Sequence, residues 1–167
     1  MKVLSISKRQ TTNNDLIDDL FSRGREFSLE LSRMGHDVKG ACLSYVDKPK
    51  GIYIDVEGSP EAQVPWASFN SGPIMPLGFV AFAWQTYKMA KAFQPDIIFS
   101  YSDSLYTILG GWLAAQTGAK HITDLQDDYM LYKTAKVPGC VRTFRRALSN
   151  CDGILCMSDV YRHAFMA

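Results

Sequence analysis

Pro95-Asp96-Ile97-Ile98-Phe99-Ser100-Tyr101-Ser102-Asp103-Ser104, the apolar block 105–117, Gly118, and then Lys120-His121-Ile122-Thr123-Asp124-Leu125-Gln126-Asp127-Asp128 decide the fold. The run at 96–100 is long enough for a buried strand and too short for a helix. The block at 105–117 with Gly118 behind it predicts a helix and its stop. The second run predicts a strand that feeds an acidic stretch at 124–128. Strand, polar loop, helix, Gly and strand make one β-α-β unit, which implies parallel pairing and a right-handed crossover. In such sheets ligands are bound outside the carboxyl ends of the strands, where these polar residues fall.

Working outward, residues 2–7 read as a first buried strand and 8–14 as a wholly polar loop, with Asn14 or Asp15 as a helix N-cap. The helix is expected to run to about Met34, with Leu20, Phe27, Leu31 and Met34 inward and Arg23, Arg25, Glu26 and Glu30 outward. Gly35 stands where a helix ends. Strands are expected at 37–45, 52–56 and 152–157, and helices from Pro76 to Phe93, over 140–149 and from Asp159; the first of these helices is apolar nearly all round through Leu77, Phe79, Val80, Phe82 and Trp84 and is expected to be buried. The Gly-, Pro- and Ser-rich segment 57–76, which holds Trp66 and Phe69, is read as lacking regular structure. This alternation predicts an α/β, Rossmann-like, doubly wound and mostly parallel sheet flanked by helices, as one domain over 1–167. A last helix that stops after one or two turns is expected of a domain cut from a longer protein.

Composition narrows the function. Apolar content of 47% and charged content of 21% are those of a globular chain. A net charge of +1 gives no global pull toward nucleic acid, so no nucleic-acid partner is expected. Cys42, Cys140, Cys151 and Cys156 form no C-x-x-C pair and the three His residues are scattered, so neither a metal site nor a disulfide framework is expected. The N-terminal residues carry no charged-then-apolar leader, and the expected setting is cytoplasmic. The apolar block 77–84 falls short of the ~20 residues that span a bilayer. No G-x-G-x-x-G follows the first strand, which disfavours a dinucleotide oxidoreductase.

With the usual strand order 3-2-1-4-5-6, the first strand and the one at 96–100 flank the switch point. Ser7, Lys8, Arg9 and Gln10 then face Ser102 and Asp103 across the crevice. Lys8 and Arg9 suit a phosphate or diphosphate and Asp103 suits a sugar hydroxyl; the alternative is a solvated loop. Asp124, Asp127 and Asp128 crowd one strand end, where like charges disfavour ionisation, so one suits a base or a hydroxyl acceptor. A helix cap or a partner for Lys133 is the other reading. Ser158 ends a strand and is either a binding residue or a cap, while His36 and His121 read as structural. Lys133, Lys136, Arg142, Arg145 and Arg146 form a basic run without an acidic residue between 133 and 146. It is either a solvated face or, with Trp66, Phe69 and the 77–84 block, a peripheral contact with anionic lipid.

Three segments resemble group-1 glycosyltransferases. Leu31-Ser32-Arg33-Met34-Gly35-His36-Asp37-Val38 is similar to their L-x-x-x-G-H-x-V opening, and Pro95-Asp96-Ile97-Ile98 to their P-D strand. Cys151-Asp152-Gly153-Ile154-Leu155-Cys156-Met157-Ser158 is similar to their A-D-x-I-I-x-x-S strand. The resemblance implies one half of a GT-B architecture, the N-terminal acceptor-binding domain, inactive without the C-terminal donor-binding domain. It implies transfer of a sugar from a nucleotide-sugar co-substrate to a glycan or lipid-linked acceptor, with no tightly bound cofactor and no obligatory metal. Two departures stand out: 8–14 lacks the family's Gly pair, and Gln126-Asp127 occupies the place of its His-Asp pair. Asp127 is thus the catalytic candidate, with Asp124 as the alternative equivalent carboxylate and Gln126 and Asp128 as binding candidates. A GT-B sugar-nucleotide epimerase half and a stand-alone Rossmann-like binding protein are the other readings.

Overall fold

The computed structural model describes residues 1–11, 14–20, 22–45, 49–55, 62–71, 75–101, 103–127, 129 and 132–157. The expected helix from Asp159, and the candidates Ser102, Asp128 and Ser158, lie outside them.

The chain runs β1 (Lys2–Lys8), β2 (Gln10–Thr11), β3 (Asn14–Asp15), α1 (Arg23–Arg33), β4 (Asp37–Ser44), β5 (Gly51–Asp55) and β6 (Val64–Asn70). It continues as α2 (Met75–Phe93), β7 (Ile97–Tyr101), α3 (Ser104–Thr117), β8 (Lys120–Leu125), a 3-10 turn (Lys133–Lys136), α4 (Cys140–Ser149) and β9 (Gly153–Cys156). Seven strands form one sheet in the order β5-β6-β4-β1-β7-β8-β9, all parallel except for the edge pair β5–β6. The chain leaves β1 for β4 on one side and returns past it to β7 on the other, so the switch point falls between β1 and β7. This is the doubly wound α/β sheet expected from the sequence.

Two layers of side chains cover the sheet. On one face Leu29 of α1 packs with Val3, Val38, Trp66, Phe99 and Tyr101. On the other, Phe82, Ala90 and Phe93 of α2 and Tyr106, Leu109 and Leu113 of α3 pack on Leu4, Ile6, Ala41, Leu43 and Ile98. Phe144 of α4 extends that second layer over Leu125 and Tyr129. The alternation of β1 between the two layers is the period-2 signature of a central strand. Gly40 is required where it is: a Cβ there would lie 2.2 Å from the Trp66 ring on the neighbouring strand.

The structure corrects five expectations. The helix begins at Arg23 with Ser22 as its N-cap (Arg25 N donates to Ser22 Oγ, 3.1 Å), because Asn14 and Asp15 are drawn into the β2–β3 pair. Arg25 is buried rather than outward, with Nη1 donating to Glu26 Oε1 at 2.5 Å, while Met34 and Leu20 are exposed. Segment 57–76 contains strand β6, whose residues Val64, Trp66 and Ser68 alternate inward. That extra strand enters between β4 and β5, so the expected order 3-2-1-4-5-6 holds for the neighbours of β1 but not at the edge. Finally, α2 is not buried all round, because Leu77, Val80 and Trp84 face solvent.

Candidate functional site

The carboxyl ends of β1, β7 and β8 meet at one edge of the sheet, and the polar residues there fall into three groups.

The first is closed. Arg9 follows β1 directly and is buried, donating from Nε to both oxygens of Asp15 (3.0 Å each), from Nη1 to Ser68 Oγ (2.6 Å) and from Nη2 to Asp18 Oδ1 (2.9 Å). Its guanidinium lies 4.8 Å from the centre of the Tyr53 ring. Asp15 also accepts from Gln10 Nε2 (2.9 Å) and from the amides of Ile17 (2.8 Å) and Asp18 (3.0 Å). Gln10 in turn donates to Ser44 Oγ (3.1 Å) and accepts from Tyr45 N (3.0 Å). Arg9 and Gln10 therefore fasten the β2–β3 loop to β4 and β6 and do not line the crevice opposite Asp103.

The second group lies at the switch point. Lys8 Nζ sits 5.5 Å from the Tyr45 ring centre, and the Tyr45 and Tyr106 hydroxyls are 2.8 Å apart. Asp103 is the N-cap of α3 and accepts from Leu105 N at 2.9 Å. Burial pushes the Asp103 carboxyl up, opposed by that amide and by the positive charge of Lys8. Burial likewise holds the Tyr45 phenol up at about 12. The sequence thus brings Lys8 and Asp103 together, and Asp103 is both a helix cap and part of the crevice wall.

The third group is open. Asp124, next to last in β8, is 1% exposed. Its Oδ2 accepts from Gln126 Nε2 (2.9 Å) and pairs with Arg23 Nε (3.2 Å), whereas Oδ1 has no hydrogen-bond partner among the described residues. Burial raises this carboxyl above the usual range; Gln126 and Arg23 oppose the shift. Arg23, in the first turn of α1, is held with its guanidinium 5.3 Å from the Phe27 ring centre. The neighbouring Asp127 is exposed and accepts from the Tyr132 hydroxyl (2.7 Å), and Gln126 N donates to the Tyr129 hydroxyl (3.2 Å). Among the described residues, no group of three His, Cys, Asp or Glu is placed to hold a metal.

Sequence reasoning placed Arg23 outward and passed over Tyr45, Tyr106 and Tyr132. The available signal for Arg23 was its position in the first turn of a helix that packs on the same sheet. Chemically, the open group offers a buried carboxylate oxygen that a hydroxyl or amine donor would satisfy, with a cation and an amide holding the other oxygen in place.

The comparisons agree with this geometry at the level of fold. No family model matches the chain, and no curated protein matches it. Solved structures do. An E. coli trehalose-6-phosphate protein bound with UDP-2-fluoro glucose superposes with a TM-score of 0.60 at 11% identity, over 99% of this chain and 42% of that one. UDP-GlcNAc 2-epimerase from Methanocaldococcus jannaschii gives 0.58 at 10% identity, over 99% and 42%. A UDP-forming α,α-trehalose-phosphate synthase from Burkholderia xenovorans in complex with glucose-6-phosphate gives 0.56 at 14%, over 98% and 41%. The chain therefore has the Rossmann-like fold of one GT-B half and spans about two fifths of the length of these neighbours.

Proposed function

We propose that this chain is the N-terminal, acceptor-binding half of a glycosyltransferase that moves a sugar from a nucleotide-sugar donor to a glycan or lipid-linked acceptor. The observation that carries the reading is Asp124 Oδ1, a buried carboxylate oxygen without a partner among the described residues, at the strand-end edge where this architecture binds ligands. A sugar hydroxyl donating to Oδ1 would complete its hydrogen bonding, while Arg23 and Gln126 favour the charged form against burial and hold the carboxylate in place. Lys8 at the switch point supplies the positive charge that a phosphate-bearing substrate needs. Asp127, exposed and held by Tyr132, takes the part of a proton acceptor on the attacking hydroxyl. Arg9 and Gln10 have a structural part only. The four cysteines, none of them in a disulfide, support a reducing, cytoplasmic setting for this half-enzyme.

Calorimetric titration of the purified chain tests the reading. Sugar and sugar-phosphate acceptors are expected to bind in the Asp124 group, and nucleotide sugars not to bind without a donor domain. Asp124→Asn is expected to weaken acceptor binding by about tenfold or more. Micromolar binding of a nucleotide sugar by this chain alone would overturn the division of labour and favour a stand-alone binding protein. A sugar-nucleotide epimerase half is the second reading, favoured by the epimerase superposing as well as the trehalose-phosphate proteins. Interconversion of two nucleotide sugars without any acceptor by the complete protein would establish it.

A further inference from the structure

The two faces of the sheet differ in charge. The chain has 17 Asp and Glu residues, yet none lies in α2, α3 or α4, the three helices that share one face. Those helices carry Lys88, Lys91, Arg142, Arg145 and Arg146, so against a chain total of +1 they hold +5 and the rest holds −4. The opposite helix, α1, has Glu26 and Glu30 among its arginines.

The same face is apolar where it is not basic. Leu77, Val80 and Trp84 on α2 and Trp112 on α3 are 70%, 66%, 56% and 41% exposed. Trp84, Tyr87 and Trp112 form a continuous aromatic row with ring centres 5.4 and 5.3 Å apart, and Lys91 Nζ caps it at 5.8 Å from the Tyr87 ring. At the start of α4, Lys136, Arg142 and Arg145 surround a groove of about 490 Å³ floored by Val137, Pro138 and Val141. Ser104 Oγ at the start of α3 lies 3.2 Å from Thr134 Oγ1, which ties this basic turn to the strand-end edge.

We propose that the α2–α3–α4 face docks on an anionic lipid bilayer, with Trp84 and Trp112 seated at the headgroup level and the α4 arginines against the phosphates. Exposed indole beside lysine, over three helices without a carboxylate, matches an interface that is apolar below and negative above. Among the described residues no helix is long and apolar enough to cross a membrane, so the contact is peripheral. Trp66 and Phe69 take no part: Trp66 is buried against Gly40 and Phe69 packs on Phe82, against the sequence expectation that they complete this surface.

Flotation with vesicles of phosphatidylcholine, alone or mixed with phosphatidylglycerol, tests this. Binding is expected only to the mixed vesicles, weakening as salt rises and accompanied by a blue shift of tryptophan emission. Each arginine removed from α4, as in Arg142→Gln and Arg145→Gln, should weaken partitioning about fivefold, whereas Arg33→Gln on the opposite face should not. Trp84→Ser with Trp112→Ser should abolish the blue shift, leaving buried Trp66 as a constant background. Equal flotation with both vesicle types, or none with either, would overturn the proposal; this measurement needs no variant. So would displacement by inorganic phosphate at fixed ionic strength, which would mean a single-anion site. A blue shift that grows with protein concentration without lipid would give the face to a second copy. None of these outcomes depends on sugar transfer.

Discussion

Two aspartates at the same edge of the sheet, Asp15 and Asp124, are each buried against an arginine, and their surroundings differ. Asp15 takes hydrogen bonds from Arg9, Gln10 and two amides, and Arg9 spends its remaining donors on Ser68 and Asp18. Asp124 has one oxygen held by Arg23 and Gln126 and the other held by none of the described residues. Desolvating a carboxylate is costly, and a fold recovers that cost only by completing its hydrogen bonds. The first pair recovers it internally and is part of the scaffold. The second leaves one carboxylate oxygen unpaired among the described residues, and the proposed acceptor site rests on that difference between residues of identical type.

The contrast can be broken by substitution. Arg9→Met should be the most damaging change, destabilising the fold by about 3–5 kcal/mol because Asp15 would remain buried without its counter-charge. Chemical denaturation measures it, and an unchanged midpoint would remove Arg9 from the scaffold. Asp124→Asn should act the other way round. Its partner Arg23 is 35% exposed and can turn to water, so stability should change by less than about 1 kcal/mol. Acceptor affinity should fall by about tenfold or more, the loss of one charge-assisted hydrogen bond. Equal losses in both quantities would erase the distinction.

His121 sharpens it from a third direction, as a buried group that stays neutral. Burial lowers it to about 4 from an ordinary value near 6.5, against the opposing charge of Asp152, and Ser100 Oγ lies 2.9 Å from its Nε2. With the folded value below the unfolded one, the unfolded chain binds the extra proton. The stability due to His121 is therefore complete above pH ~6.5 and is lost as pH falls toward 4, by up to about 3 kcal/mol. Thermal unfolding from pH 7 to 4.5 should show that decline, and His121→Gln should flatten it. The raised carboxyls of Asp103 and Asp124 work with the opposite sign, adding stability as pH falls, so a steeper decline in the variant would contradict the assignment. The smallest effect is expected from Asp18→Asn, less than about 1 kcal/mol, since Asp18 is 42% exposed and only the outer partner of Arg9.

The sequence made the centre of this molecule legible and its margins less so. Strand β7 is buried and reads as a short apolar run, Ile97-Ile98-Phe99, β8 follows directly on the helix stop, and Gly118 closes α3 in the left-handed conformation that favours glycine. Strand β6 was hidden by Pro65 and by its Gly- and Ser-rich flanks, although Val64, Trp66 and Ser68 already alternate in the sequence. The crowding of acids after β8 was visible as a strand-end cluster. Which of them is buried with a vacant oxygen depends on Arg23 arriving from a helix about a hundred residues earlier, and no local pattern encodes that. Arg9 misled for the same reason: an arginine after the first strand reads as a phosphate ligand until the β2–β3 pair folds Asp15 back onto it.

The central position of β1 has a consequence for biosynthesis. Val3 pairs with Val38 on one side but with Ile97 on the other, so one edge of the innermost strand has no partner until 94 further residues have been made. At roughly 5–20 residues per second, the ribosome leaves that apolar edge open for roughly 5–20 s. During that interval β4, α1 and later α2 can cover the rest of β1 but none of them pairs with that edge, and a chaperone that recognises extended apolar segments has a defined window in which to bind.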